Sequence, residues 1–138
     1  MDHTFHFTAS RYNATEVRSH FINDCCFGED VIAAIREGLV TFASEAEIGE
    51  PIQEDWGWGF WLEFGAERYW IYAGVIGEQD RGKKNYEWRV GIDHQERIFV
   101  WRRPNVAKIQ ERFDALVVAL RTIITSDPGT SLISEEDD

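Results

Sequence analysis

Between Asp55 and Phe64 the chain reads Asp-Trp-Gly-Trp-Gly-Phe-Trp-Leu-Glu-Phe, with three of its six tryptophans in ten residues. The pair that follows, Gly65-Ala66, suits a two-residue hairpin turn with glycine in first position, as a type II′ turn requires. Turning the chain there sets a single register. On one face Leu62 opposes Tyr69, Phe60 opposes Ile71, Trp58 opposes Ala73 and Trp56 opposes Val75, all apolar. On the other, Glu63 opposes Arg68, Trp61 opposes Trp70, Gly59 opposes Tyr72 and Gly57 opposes Gly74. An ion pair, an aromatic pair and an aromatic ring over a strand glycine all follow from one assumption, and each is a stabilising cross-strand pairing. A slip of one residue loses all three. The segment therefore splits: Trp56, Trp58, Phe60, Leu62 and Phe64 are expected in the core, while Asp55, Gly57, Gly59, Trp61 and Glu63 face outward.

The rest of the chain supplies elements around this hairpin. Phe5 and Phe7 alternate with polar residues over His3–Ala9 and predict a first strand. Val17, Phe21 and Ile22 fit a short helix over Ala14–Ile22. Gly28-Glu29-Asp30 opens a better one, with two acids in its first turn and Val31, Ile32, Ile35, Leu39 and Phe42 on one face, running to about Ser44. Gly38 in its middle implies a close neighbour or nothing. Glu45–Asp55, with Gly49 and Pro51, reads as a loop or irregular edge. Tyr86, Trp88, Val90 and Ile92 alternate as a third strand of a meander. Asp93–Glu96 should turn the chain into a fourth strand over Arg97–Arg102. Pro104 in the first turn or Asn105 as cap starts the last helix, whose stripe is Val106, Ile109, Phe113, Leu116, Val117, Leu120, Ile123 and Ile124. The expected fold is α+β, an antiparallel meander sheet of four to five strands with two helices on one face. It forms one domain over residues 1–125, followed by a disordered acidic tail over 126–138.

Charge narrows the partners. With 25 acids against 14 Lys and Arg, the net charge is −11, which argues against direct nucleic-acid binding, since phosphate backbones are held by clustered bases. No Lys or Arg lies between Arg36 and Arg68, a stretch that contains Glu45, Glu47, Glu50, Glu54, Asp55 and Glu63. Such a region attracts a basic partner or simply keeps the surface solvated. No apolar run is long enough to span a membrane and the N-terminus has no signal-peptide pattern, so a cytoplasmic location is expected. Cys25 and Cys26, adjacent and the only cysteines, are expected as reduced thiols packed like small apolar residues.

Motifs for chemistry are weak. Gly77–Lys83 has the spacing of a phosphate-binding loop, but Lys84 stands where Ser or Thr should be and a strand, not a helix, follows. Met1-Asp2-His3 could chelate Cu(II) or Ni(II) through the terminal amine and His3, without a further ligand nearby. His3 and His6 point to opposite faces of a strand and cannot share an ion. Glu54 and Asp55, adjacent on a strand, point apart and make a poor catalytic pair. No nucleophile elbow, acid–base pair or zinc-protease helix occurs. No cofactor and no metal are expected.

What remains is the outer sheet face, where Trp61, Trp70, Tyr72, Arg89 and Trp101 gather beside Glu50, Glu54 and Asp55. Rings of this size need cover. The N-terminal strand or the Ala14–Ile22 segment could pack there as a third layer; a second copy of the chain or another protein are the alternatives. The expected function is a non-enzymatic protein-binding module for a basic partner. In size and charge the chain resembles bacterial immunity proteins and acidic secretion chaperones, which implies an inhibitor-type role. The competing reading is a small-molecule binder or enzyme with a Trp- and Tyr-lined pocket between sheet and helices.

Overall fold

A computed structural model describes residues 1–65, 67–77, 85–96 and 105–137. Its elements are β1 (Asp2–Ala9), α1 (Glu29–Phe42), β2 (Glu47–Ile48), β3 (Ile52–Glu54), β4 (Gly57–Phe64), β5 (Glu67–Ile76), β6 (Tyr86–Glu96), α2 (Val106–Thr125) and β7 (Ser131–Asp137). The fold is α+β, with an antiparallel sheet. The sheet is larger than the expected four to five strands: it has seven, in the order β2-β4-β5-β6-β1-β7, with β3 also paired to β4. The meander β4-β5-β6 forms as read. The extra strands come from chain ends and short edges that local pattern does not place.

The β4–β5 register is the one deduced from the turn, from Trp58 opposite Ala73 to Phe64 opposite Glu67. Gly65 has φ +58°, a left-handed conformation that glycine adopts without strain. One expectation beyond the turn changes. Asp93–Glu96 does not turn but continues β6 along Glu67–Trp70, because β5 offers backbone partners that far. The predicted strand over Arg97–Arg102, with Trp101, lies outside the described residues, as do Ala66, Pro104 and most of the loop resembling a phosphate-binding motif.

Alternation divides the sheet cleanly. Phe5 and Phe7 of β1, Trp58, Phe60 and Leu62 of β4, Tyr69, Ile71 and Ala73 of β5, and Trp88, Val90 and Ile92 of β6 are all buried in one cluster with both helices. Helix α1 contributes Val31, Ile32, Ile35 and Leu39; α2 contributes Phe113, Leu116, Val117, Leu120 and Ile124, and Ile109 is also buried. Phe42, expected inward, is 56 % exposed where α1 ends, and Val106 is exposed in the first turn of α2. The helices approach closely at Gly38, where a Cβ would come within 2.8 Å of the Ile123 side chain. Asn105 caps α2, its side chain accepting from the Lys108 N–H at 3.2 Å.

The Ala14–Ile22 segment is not helical. The Asn13 side-chain oxygen takes the N–H groups of Thr15 and Glu16, which a helix would need, at 3.3 and 2.9 Å. Arg18 reaches the start of α1, where it holds Glu29 and Asp30 at 2.7 Å each. Phe21 packs on Phe27 and Trp58, so the segment lies on the helix side of the sheet. The paired cysteines also differ from expectation. Cys25 and Cys26 are joined to each other (S–S 2.31 Å, Cα–Cα 3.8 Å) in a loop pinned by Gln53 and Trp58, whose side chains both donate to the Cys26 carbonyl.

The largest correction is the C-terminus. Ser131–Asp137, expected to be disordered, is an edge strand paired to β1. Two of its acids, Glu135 and Asp137, find partners in other elements. Arg121 of α2 binds Glu135 through Nε and Nη2, the latter at 2.8 Å, and the buried His3 ring contacts Glu135 at 2.8 Å and also Asp137. These contacts hold the Glu135 carboxyl below its ordinary value, the Arg121 hydrogen bonds being the main cause. Arg18 does the same for Asp30. Carboxylates depressed in this way stabilise the fold above their ordinary range, and that contribution disappears as pH falls through their folded values. Stability is therefore expected to fall on acidification below about pH 4.5, the ordinary value of Glu135. Urea midpoints measured against pH should show this drop, and Arg121→Gln should flatten it; an acid limb unchanged in that variant would remove Glu135 as its source.

The candidate binding face

The face of the sheet away from the helices is built by the residues that alternate with the core. Rows run across it: Gly59, Tyr72, Gly91 and Thr4 in one; Gly57, Gly74, Arg89 and His6 in the next, following the β4–β5–β6–β1 pairings. Among the described residues no helix or loop covers the rings here, and the N-terminal strand that could have done so lies in the sheet itself, with Phe5 and Phe7 in the core. A third layer from Ala14–Ile22 is likewise excluded by its position against Phe27 and Trp58.

Glycines shape this surface by letting rings lie on the backbone. A Cβ on Gly59 would come within 2.4 Å of the Trp70 ring, and one on Gly91 within 2.1 Å of the Tyr72 ring. The ring over Gly59 is thus the diagonal Trp70, not the directly opposed Tyr72; Tyr72 instead covers Gly91 of the following strand. Trp61 and Trp70 pack with centroids 4.8 Å apart, and the Arg68 guanidinium sits 3.6 Å from the Trp61 ring centre while its Nε holds Glu63 at 3.2 Å.

Trp56 belongs here as well, not in the core. Glu54 pairs with Gly57, so Asp55 and Trp56 are the two turn residues of the β3–β4 hairpin and escape strand alternation. The Trp56 ring is 48 % exposed and meets the Tyr72 ring edge-on at 5.1 Å. The signal that could have revealed it is the short apolar-polar run Ile52-Gln53-Glu54 just before the turn, which pairs with Gly57–Gly59.

The anticipated residues are brought together in part. Trp61, Trp70, Tyr72 and Arg89 share the outer face. Glu47 opposes Glu63 and Glu54 opposes Gly57, which puts both acids on its rim. Asp55 sits in the turn, its carboxylate accepting from Asn23 at 3.3 Å. Glu50 is drawn the other way, toward Arg36 of α1 at 3.2 Å. Glu45 lines a cavity of about 330 Å³ on the helix side, with Phe42, Phe64, Arg112 and Leu116. That cavity is lined by neither Trp nor Tyr; Tyr12 lines a second helix-side cavity beside Gly38 and Ile123, and Trp56 and Tyr72 line one on the outer face. Trp101 lies outside the described residues. Both ring nitrogens of His3, the histidine of the N-terminal chelate motif, lie on carboxylates of β7, those of Glu135 and Asp137. Among the described residues no cluster of His, Cys, Asp and Glu could hold a metal ion, and no helix is long and apolar enough to cross a membrane.

Comparison of the chain with known protein families, with curated proteins and with solved structures found no match to any of them.

Proposed function

We propose that this chain is a non-enzymatic protein-binding module that docks a basic partner on its outer sheet face. The observation that carries the reading is the set of four rings, Trp56, Trp61, Trp70 and Tyr72, standing on one face with no helix over them among the described residues. Tryptophan, tyrosine and arginine clusters of this kind are typical interface anchors, and their apolar area is large enough to drive association. The rim supplies the sign of the partner. Glu47, Glu54 and Glu63 on one side and Glu87 and Asp93 on the other flank the rings, in a chain of net charge −11. An acidic rim speeds encounter with a basic surface and selects against acidic ones. An inhibitor that occludes the basic groove of another enzyme suits this arrangement.

The test is affinity capture from native cytoplasm with the intact chain as bait, at low and high salt. A basic protein should be retained at low salt and lost as salt rises, and the double variant Trp61→Ala, Trp70→Ala should fail to retain it while keeping its far-ultraviolet spectrum. Retention that ignores both salt and the two substitutions would refute the proposed surface.

A further inference from the structure

One part of the outer face does not fit a uniformly acidic surface. Of the seven arginines among the described residues, Arg11, Arg18, Arg36, Arg68, Arg112 and Arg121 each hold a carboxylate within 3.2 Å. Arg89 holds none among the described residues, although it is exposed on a chain with 25 acids. Its Nε–H donates to His6 Nε2 at 3.1 Å, and the Ser134 hydroxyl lies 3.4 Å from the other ring nitrogen of His6. Because a guanidinium only donates, His6 Nε2 accepts in this contact. His6 therefore orients Arg89. No described residue accepts from Nη1 or Nη2, the edge that binds a carboxylate with two parallel hydrogen bonds.

Beside this arginine is a cavity of about 250 Å³ lined by Trp56, Tyr72, Gly74, Val75, Ile76 and Arg89. Gly74 lies directly opposite Arg89 across the β5–β6 pair. Tyr72 and Ile76 flank Gly74 along β5 on the same face, and the Trp56 ring stands beside it. The space exists because position 74 lacks a side chain; a Cβ there would also meet the Trp56 carbonyl oxygen at 2.9 Å. The volume is below the roughly 300–1,000 Å³ of pockets for drug-sized ligands. It suits one group of side-chain size.

We infer that this notch binds a carboxylate carried on an aromatic or branched apolar group, with the apolar part on Gly74 against Trp56, Tyr72 and Ile76 and the carboxylate on the Arg89 guanidinium. Such a ligand is a free aryl or alkyl acid or the C-terminal residue of a polypeptide. The site shares a face with the proposed interface but does not rest on it, because its charge preference is the opposite of the one the rim imposes. Capture of no basic partner would leave this inference standing.

The probes are N-acetylphenylalanine, its amide, and a short peptide ending in phenylalanine with a free carboxylate, titrated into the intact chain and followed by the indole N–H resonances. The acid is expected to shift the Trp56 resonance saturably and to bind at least about tenfold tighter than the amide, the usual scale for a hydrogen bond to a charged group. Arg89→Gln, at an exposed position, should bring acid and amide to the same affinity. A peptide that binds tighter than the free acid identifies a chain terminus as the source; equal or weaker binding identifies a free acid. Acid and amide binding alike to the unaltered chain, or no shift at Trp56 with any probe, would overturn the inference.

Discussion

Phe60→Ala is expected to remove about 3–5 kcal/mol of folding stability, whereas Trp61→Ala, one residue further along the same strand, is expected to remove only about 1–2 kcal/mol. Phe60 is fully buried between the sheet and the helices, and its loss leaves a cavity that neighbours from several elements would have to fill. Trp61 is on the other face. It gives up its packing with Trp70 and the Arg68 guanidinium, and solvent or Trp70 can occupy the space. Urea denaturation of the two variants decides the order, provided the slopes match that of the parent. The reverse order would place Trp61 in the core and remove the support for a binding face.

The second large effect concerns Gly57. A Cβ at that position would lie 2.1 Å from the Ala73 carbonyl oxygen and 3.1 Å from the Gly74 Cα, so Gly57→Ala has to push two backbones apart. No side chain can move to relieve the contact. The cost is expected to be about 3 kcal/mol, at the upper end for overpacking by a single methyl group. The strain falls where β3, β4 and β5 meet, so Trp56 should become more mobile as well. Gly129→Ala is the control: its nearest neighbour would be the Asp127 carboxylate at 3.5 Å, an ordinary contact, and its effect should stay within about 0.5 kcal/mol. Equal losses from the two substitutions would mean that close approach of the strands is not what glycine provides at position 57.

How far the sequence reveals this molecule depends on where each interaction is encoded. The β4–β5 register was legible because both strands and their turn lie within one short stretch, and Glu63, Arg68, Trp61 and Trp70 report on each other directly. Helix α2 was legible for the same reason, with its stripe and its Asn105 cap in a single run. The Ser131–Asp137 strand was not. Its composition is that of a solvated tail, and what orders it is supplied by Arg121, His3 and the open edge of β1. Trp56 was misplaced because strand alternation was extended one residue too far, across a turn set by the pairing of Glu54 with Gly57. Within the candidate site, Trp61, Trp70 and Tyr72 could be read from alternation. The Gly74 notch could not, since it needs the turn, the β6 register and the His6 contact together.

The aromatic segment is divided, with Trp58 in the core and Trp56 and Trp61 on the sheet face away from the helices. Mild tryptophan-selective oxidation of the folded chain, read residue by residue by mass spectrometry, tests this division directly. Trp56, 48 % exposed, should be modified first, followed by Trp61 and Trp70, while Trp58 and Trp88, 5 % and 0 % exposed, stay protected until the chain unfolds. Early modification of Trp58 or Trp88, with Trp56 protected, would contradict the account.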